Sequence, residues 1–435
     1  MAMGKKFGAP VRVKSQRQIR RADARRREKG MRILFVHQNF PGQFVHLAPA
    51  LRARGHDVRA LTYDRNERPE IVPTTKYPIR LKGKLPEFGP IVHQFAVAGI
   101  RGHDVALTAA EMRQQGYVPD FIFGHLGWGE TLFLKEVWPE ATLALYAEFF
   151  YSTTGLDSGF DPEIYPMSLA ARMRVTAKKT PLLLAMDSAD KALAPTRWQA
   201  ESFPEWFQDR ITVIHDGVNT ELVKPNPDAT VVLNNGALTI RPGDELLTFV
   251  NRNLEPYRGY HTFMRALPKV LAARPNARVI IVGADHVSYG AAPPDGGKWK
   301  DIFLNEVKDK LDLSRVSFVG QIPYPVFVNL MQVSRVHAYL TYPFVLSWSM
   351  LEAMSAGALL VGSRTGPVEE LIKDGVNGRL VDFFDVDGWS NALIDGLANP
   401  EKYLGLREAA RRTIVEGYDL KQHCLPELIR FVEEG

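Results

Sequence analysis

Two stretches of the sequence concentrate side chains suited to holding an anion. The first, Asn251-Arg252-Asn253-Leu254-Glu255-Pro256-Tyr257-Arg258-Gly259, follows the apolar run Leu246–Val250. Its arginines stand six residues apart around a Pro-kinked loop and can both reach one anion. A guanidinium keeps its charge, and its fork matches phosphate oxygens in pairs. The second stretch runs from Tyr339 to Gly357: an apolar strand, a turn containing Pro343, then a helix beginning near Ser347 or Ser349. Small hydroxyl residues at a helix start leave backbone N–H groups free to receive a phosphate, and the helix dipole assists. Glu352 falls about one turn into that helix, in a mostly apolar segment where an ionised carboxylate needs a partner. A ribose diol would supply two donors. The plainer alternatives are a solvated loop for the first stretch and a helix-starting Glu for the second.

Other residues compete for a place in the same chemistry. His37 and His215 sit at strand ends and could line a cleft, although loop histidines are common. His125 lies in Gly124-His125-Leu126-Gly127-Trp128-Gly129, which leaves little room for a packed core ring. Glu148 follows the run Thr142–Tyr146 among aromatics, placed to recognise substrate or to pair with an arginine. The triplet Asp385-Val386-Asp387 has the Asp-x-Asp form of a metal site, but it lies ahead of a helix and reads better as an N-cap. No metal site is expected. Cys424 is the single cysteine, which excludes a disulfide scaffold and a multi-cysteine metal cluster and fits an inert place in the tail helix.

The elements that must position these residues follow a repeating rhythm. Arg32–Val36 is a short apolar run, Gln43–Arg54 has helical spacing, Gly55 ends it, and Asp57–Leu61 is a second run. That is a βαβ unit, and it opens a parallel sheet. Further strands are predicted at Asp120–Phe123, Thr142–Tyr146 and Lys191–Ala194. Lys224–Asp244, rich in Pro, Asn, Asp and Gly, reads as a surface connection. The alternation restarts with Leu246–Val250, Arg278–Val282, Val316–Val319, Val336–Leu340 and Ala358–Val361. The fold class is therefore α/β, with two doubly wound halves whose strand ends face a shared cleft. The expected division is a basic arm at 1–30, one domain at 31–215, a connection at 216–244, a second domain at 245–410 and a helix at 411–435 that packs back on the first domain.

Length and charge agree with that division. A chain of 435 residues, 45% hydrophobic and 24% charged, can build two or three cored domains. No apolar stretch reaches the length of a membrane span, so a soluble cytoplasmic protein is expected. Residues 1–30 hold 11 Lys/Arg against Asp23 and Glu28, a net of +9, which leaves −4 on the remaining 405. Such an arm is either a solvated tail or a segment drawn to anionic lipid headgroups, at the inner face of a membrane, or to nucleic acid. The acidic body lacks the basic stripe that nucleic acid would require.

The motifs also carry a family resemblance. LEAMSAG (Leu351–Gly357) followed by Ala358–Val361 and Ser363–Asp382 resembles the C-terminal signature of the retaining glycosyltransferases of family 4, which have the two-Rossmann-domain GT-B fold. FVHQNFPGQF (Phe35–Phe44) resembles their first strand and Gly loop, Asp120–His125 their strand leading to a cleft histidine, and Val213–Pro225 their interdomain crossing. The resemblance covers most of Met31–Glu416.

It implies a donor that is a nucleotide diphosphate sugar, with Gly42, Asn251, Arg252, Arg258, Gln321, Ser347, Trp348, Ser349 and Glu352 binding it. Arg252 and Arg258 would clamp the diphosphate, the amides of Ser347 and Trp348 would contact phosphate, and Glu352 would hold the ribose. His125 would face the sugar and act with the arginines in catalysis, and Gln321–Tyr324 would lie where the base stacks. His37, Glu148, His215, Tyr324 and Phe344 are further candidate substrate contacts. The sequence departs from the family at Phe344, an aromatic where the paired-glutamate motif has an acid eight residues before Glu352. A phenyl ring there would lie against the apolar face of a sugar. The implied reaction is metal- and cofactor-independent transfer to a glycan, lipid-linked or protein acceptor. A nucleotide-sugar epimerase on the same fold and a non-catalytic nucleotide-sugar-binding protein are the rival readings.

Overall fold

The computed structural model describes residues 30–81, 89–233, 236 and 238–434. Apart from Gly30, the basic arm expected to meet anionic surfaces lies outside the described residues.

The first sheet has seven parallel strands: β1 (Arg32–Val36), β2 (Asp57–Tyr63), β3 (Thr74–Tyr77), β4 (Phe121–His125), β5 (Thr142–Tyr146), β6 (Lys191–Ala194) and β7 (Ile211–Val213). Their order is β3-β2-β1-β4-β5-β6-β7. An antiparallel hairpin, β8 (Val231–Leu233) and β9 (Leu238–Ile240), follows. The second sheet holds β10 (Leu246–Asn253), β11 (Arg278–Ala284), β12 (Val316–Gly320), β13 (Val336–Tyr339), β14 (Leu359–Ser363) and β15 (Arg379–Val381), in the order β12-β11-β10-β13-β14-β15. Helices cover both faces, so the central strands read as near-continuous apolar runs such as Ile33–Val36 and Leu246–Val250, the latter interrupted only by Thr248, all buried.

In each sheet the strand order reverses direction beside the first strand, between β1 and β4 and between β10 and β13. Ligands of doubly wound sheets bind at such switch points, beyond the carboxyl ends. There the chain delivers His37 and His125 from one sheet, and the Asn251–Gly259 and Leu340–Ser347 loops from the other. Both sheets, their GT-B arrangement and the returning tail match the fold class read from the sequence.

In the two parallel sheets three strands escaped the sequence reading, and all three are edges: β3 and β7 of the first sheet, β15 of the second. They are three or four residues long and partly exposed, so they lack the apolar run that marks a central strand. Within Lys224–Asp244, read from sequence as a surface connection, lies the hairpin, with Val231 and Ile240 buried against the second domain's core. Its two runs are short and lie among turn-forming residues, which mask them. The helix expected over Gln43–Arg54 is a single 3₁₀ turn, Gly42–Phe44, followed by a shorter helix, Leu47–Ala53.

Beyond the crossing at 214–223, two segments tie the domains together. The terminal helix Leu425–Glu433 lies on the first sheet, with Phe431 packed on Phe121 and Phe123 and Glu433 paired with Arg54 at 2.7 Å. The segment after β5 reaches the other way. Tyr257 donates its hydroxyl to Asp157 at 2.8 Å, Tyr342 donates to Asp161 at 2.6 Å, and Phe160 packs among Tyr342, Phe383 and Phe384. No helix among the described residues is long and apolar enough to cross a membrane.

Candidate active site

A cleft of about 560 Å³ opens where the strand ends meet. Gln43, Val45 and His46 line it from the first domain, Asp216–Asn219 and Leu222 from the crossing, and Asn251, Arg252, Tyr324, Ser347, Trp348, Ser349 and Glu352 from the second. Seven residues singled out by sequence therefore share one wall.

Arg252 is the penultimate residue of β10, with its side chain exposed to this cleft, and no hydrogen bond or ion pair engages its guanidinium among the described residues. Arg258 differs. It is 3% exposed, and its Nη1 donates to Thr341 Oγ1 and to the Val345 carbonyl, both at 2.8 Å. It braces the 341–345 loop and does not line the cleft beside Arg252, which corrects the expectation of a two-arginine clamp. The two charges still converge on Glu148. Burial pushes that carboxyl up, but the hydrogen bond and charge of His125, with the charges of Arg252 and Arg258, hold it below the usual range.

His125 is the last residue of β4 and buried, stacked between Trp128 and Tyr146 with centroids 5.5 and 5.7 Å away. The ring is packed after all, because the 126–129 loop folds back over it. Its Nδ1 accepts the Gly127 N–H at 2.9 Å, so the proton belongs on Nε2, which stands 3.5 Å from Glu148 Oε2.

His37 lies perpendicular to His125, 5.5 Å away, and its Nδ1 accepts the Asn39 N–H. Burial, then the neighbouring charges of His125 and Arg68, lower it to about 3, so the ring is neutral. Gly42 does not line the cleft. It packs on His37, whose ring would stand 3.0 Å from an added Cβ, and its φ of +50° disfavours other residues. His215 is also buried, held at about 4 by desolvation, and turns its ring toward Tyr418 of the tail.

On the second domain, Tyr324 donates its hydroxyl to Glu352 Oε1 at 2.7 Å. Burial raises the Glu352 carboxyl above the ordinary range, offset in part by that bond. Gln321 is exposed and outside the cleft wall. Ser347 stands at the N-cap position of the helix Trp348–Ala356 without capping it through its side chain, and its amide is already engaged, donating to Tyr339 Oη at 2.8 Å. That leaves the first-turn amides of Trp348 and Ser349, which have no intrahelical partner. Phe344 is 5% exposed and packs on Phe149, Tyr289 and Tyr257 at 4.8 to 5.6 Å. It seals the domain junction and does not line the cleft, because Phe149 of the first domain occupies the space in front of it.

Sequence reasoning missed Asp216. This carboxylate lines the cleft and accepts Tyr146 Oη at 3.0 Å and Trp348 Nε1 at 2.9 Å. The signal was an acid inside the crossing motif, between His215 and Gly217. Among the described residues no group of three or more His, Cys, Asp or Glu could hold a metal ion. Asp385 accepts the Gly388 N–H at 2.8 Å as an N-cap, and Asp387 pairs with Lys269 at 2.9 Å.

Two family models match the chain: "Glycosyl transferase family 4 group" over residues 54–223, and "Glycosyl transferases group 1" over residues 234–413. The chain belongs to glycosyltransferase family 4. Similar curated family members include the D-inositol 3-phosphate glycosyltransferases of Mycobacterium ulcerans (strain Agy99), 29% identical over 216 residues, and of Corynebacterium urealyticum (strain ATCC 43042 / DSM 7109), 26% over 231. Those alignments cover 49% and 52% of this chain and 43% and 52% of the relatives, so the chain matches about half their length at most. Among solved structures, sucrose-phosphate synthase from Thermosynechococcus elongatus superposes with a TM-score of 0.69 at 17% identity, covering 92% of this chain and 98% of that one. The Anabaena protein Alr3699/HepE, in complex with UDP and glucose, gives 0.62 at 18% identity, covering 93% and 98%. At such identities the likeness shows the fold, GT-B.

Proposed function

We propose that the protein transfers a sugar from a nucleotide diphosphate sugar to a hydroxyl of a glycan, lipid-linked or protein acceptor, with retention and without a metal. One observation carries the reading: an unengaged arginine, two free helix-start amides and a buried Glu line one wall of a cleft whose first-domain side includes Gln43, which donates to Glu148 of the Glu148–His125 pair at 3.4 Å. The reaction must stabilise charge at two places. The departing diphosphate gains negative charge, which Arg252 and the amides of Trp348 and Ser349 would receive. The anomeric carbon becomes oxocarbenium-like, and the ionised Glu148, turned toward His125, supplies the opposite charge nearby. Glu352, with one oxygen held by Tyr324, keeps its other oxygen for a ribose hydroxyl.

Retention is proposed from family membership. Work in the cytoplasm, at the inner face of an anionic membrane, belongs to the same reading and rests on the charge of residues 1–30. UDP-glucose is the first donor to try, because the Anabaena protein of like fold was solved with it. The test is turnover of a panel of labelled nucleotide sugars, each with and without EDTA. Release of nucleoside diphosphate that survives EDTA is expected. Loss in EDTA restored by Mg²⁺ or Mn²⁺ would overturn metal independence, and the absence of any donor turnover or binding would overturn the function.

A further inference from the structure

We infer that Asp216 is a positioning residue, whose carboxylate clasps the indole of Trp348 to the hydroxyl of Tyr146 and so fixes the start of the donor-side helix against the acceptor-side sheet. The inference rests on the donor reading above and extends it to a residue of the crossing to which that reading gives no role. Its geometry spans three parts of the chain. Tyr146 ends β5 of the first sheet, Trp348 opens the helix Trp348–Ala356 of the second domain, and Asp216 lies in the crossing between them. Tyr146 donates to both carboxylate oxygens at 3.0 Å, and Trp348 Nε1 donates to Oδ2 at 2.9 Å.

Two features separate this from an incidental contact. Both donors are neutral, and no cation pairs with Asp216 among the described residues. The titratable groups around it are Glu148, which repels its charge, His125, and Cys424 of the tail. A carboxylate desolvated without a cation costs stability, and such a cost is retained where a site uses it. The clasp is also held rigidly from behind. Gly217 has φ +86°, and an added Cβ would meet Leu420 Cα at 2.8 Å and Cys424 Cβ at 2.9 Å, so the crossing is pressed onto the tail. A fixed Asp216 anchors an indole that is itself 46% exposed and would otherwise rotate freely in the cleft. The backbone amides of Trp348 and Ser349 then keep one direction, and an ordered first turn is what a diphosphate needs.

Two measurements test the clasp. In the first, UDP affinity is measured by calorimetry for the wild type, Asp216→Ala, Trp348→Phe and the double variant, alongside melting temperature. Each single variant should weaken UDP about tenfold, and the double variant no further, since both break one contact. Additive losses, or unchanged affinity in both single variants, overturn the clasp. Tyr146→Phe, which removes only the hydroxyl, repeats the test should Asp216→Ala fail to fold.

The second measurement needs no ligand. The tryptophan emission of the wild type minus that of Trp348→Phe is followed from pH 4 to 8. A transition near pH 6 should appear, where burial places this carboxyl at about 6, and it should vanish in Asp216→Asn. A flat difference overturns the contact. A wild type that shows the transition yet binds none of UDP, GDP or ADP overturns the donor reading, and with it the clasp's part in donor binding.

Discussion

Arg258 donates to Thr341 at 2.8 Å from a position 3% exposed, while Arg252, six residues earlier, meets the cleft with its guanidinium unengaged. On the proposed reading the two arginines therefore divide between anion binding and loop bracing. Arg252→Ala should lower donor turnover by about 10²–10³-fold, as expected when one charge-assisted contact to a developing anion is lost, with the melting temperature unchanged. Arg258→Ala should reduce both, because it leaves Thr341 Oγ1 and the Val345 carbonyl without their donor. Steady-state rates beside thermal melts separate the two, and equal thermal losses in both variants would refute the division.

That division also marks where the sequence stops being legible. The central strands, the switch points and the cluster Arg252–Trp348–Glu352 follow from apolar runs and motif chemistry, which are local. Whether Arg258 points into the cleft depends on Thr341 and Val345, over eighty residues away, and no local pattern encodes that. Phe344 looks like a binding-site aromatic until Phe149 is seen against it. Asp216 acquires its meaning only when Tyr146 and Trp348 arrive from different domains. The edge strands β3, β7 and β15 failed for a separate reason: partly exposed runs of three or four residues carry little hydrophobic signal.

Asp216 also makes a prediction about stability. Its carboxyl rises from the ordinary 3.8 to about 6 on folding, with burial as the main cause. The folded state thus holds that proton more tightly than the unfolded chain. The cost is absent below about pH 4, grows as pH rises toward 6, and is complete above it. Asp216→Asn should therefore melt higher than the wild type at pH 7.5, by an amount equivalent to about 1–3 kcal/mol, with no difference at pH 4. Equal melting temperatures at both pH values would show that the carboxyl is not strained.

Asp161 should behave in the opposite sense. Burial raises its carboxyl, but the bonds from His261 and Tyr342 outweigh this and hold it below the usual range. Its stabilisation is present above the unfolded carboxyl's titration and is lost as pH falls through the folded one. Asp161→Ala removes the partner of Tyr342 Oη at 2.6 Å and of His261 Nε2 at 3.1 Å, both buried. A loss of about 2–4 kcal/mol at pH 7 is expected, shrinking in acid. Denaturant melts at pH 7 and pH 3 measure it, and a pH-independent loss would place the effect in packing instead.

Phe344→Glu decides between a binding and a packing role for the aromatic that departs from the family motif. An acid facing the sugar would accept hydrogen bonds from its hydroxyls and reorder donor preference, because buried polar pairing discriminates strongly against analogues lacking a hydroxyl. The packing places the ring elsewhere, 4.8 Å from Phe149 and 5.1 Å from Tyr289, with the Arg258 guanidinium 5.9 Å from its centroid. A glutamate there would desolvate a charge among aromatics and draw Arg258 away from Thr341 and Val345. The expected result is a lower melting temperature and a general fall in rate, with the ranking of nucleotide-sugar donors kept within about threefold, equivalent to ~0.7 kcal/mol. A changed ranking at an unchanged melting temperature would return Phe344 to the sugar and require the 341–347 loop to rearrange when donor binds.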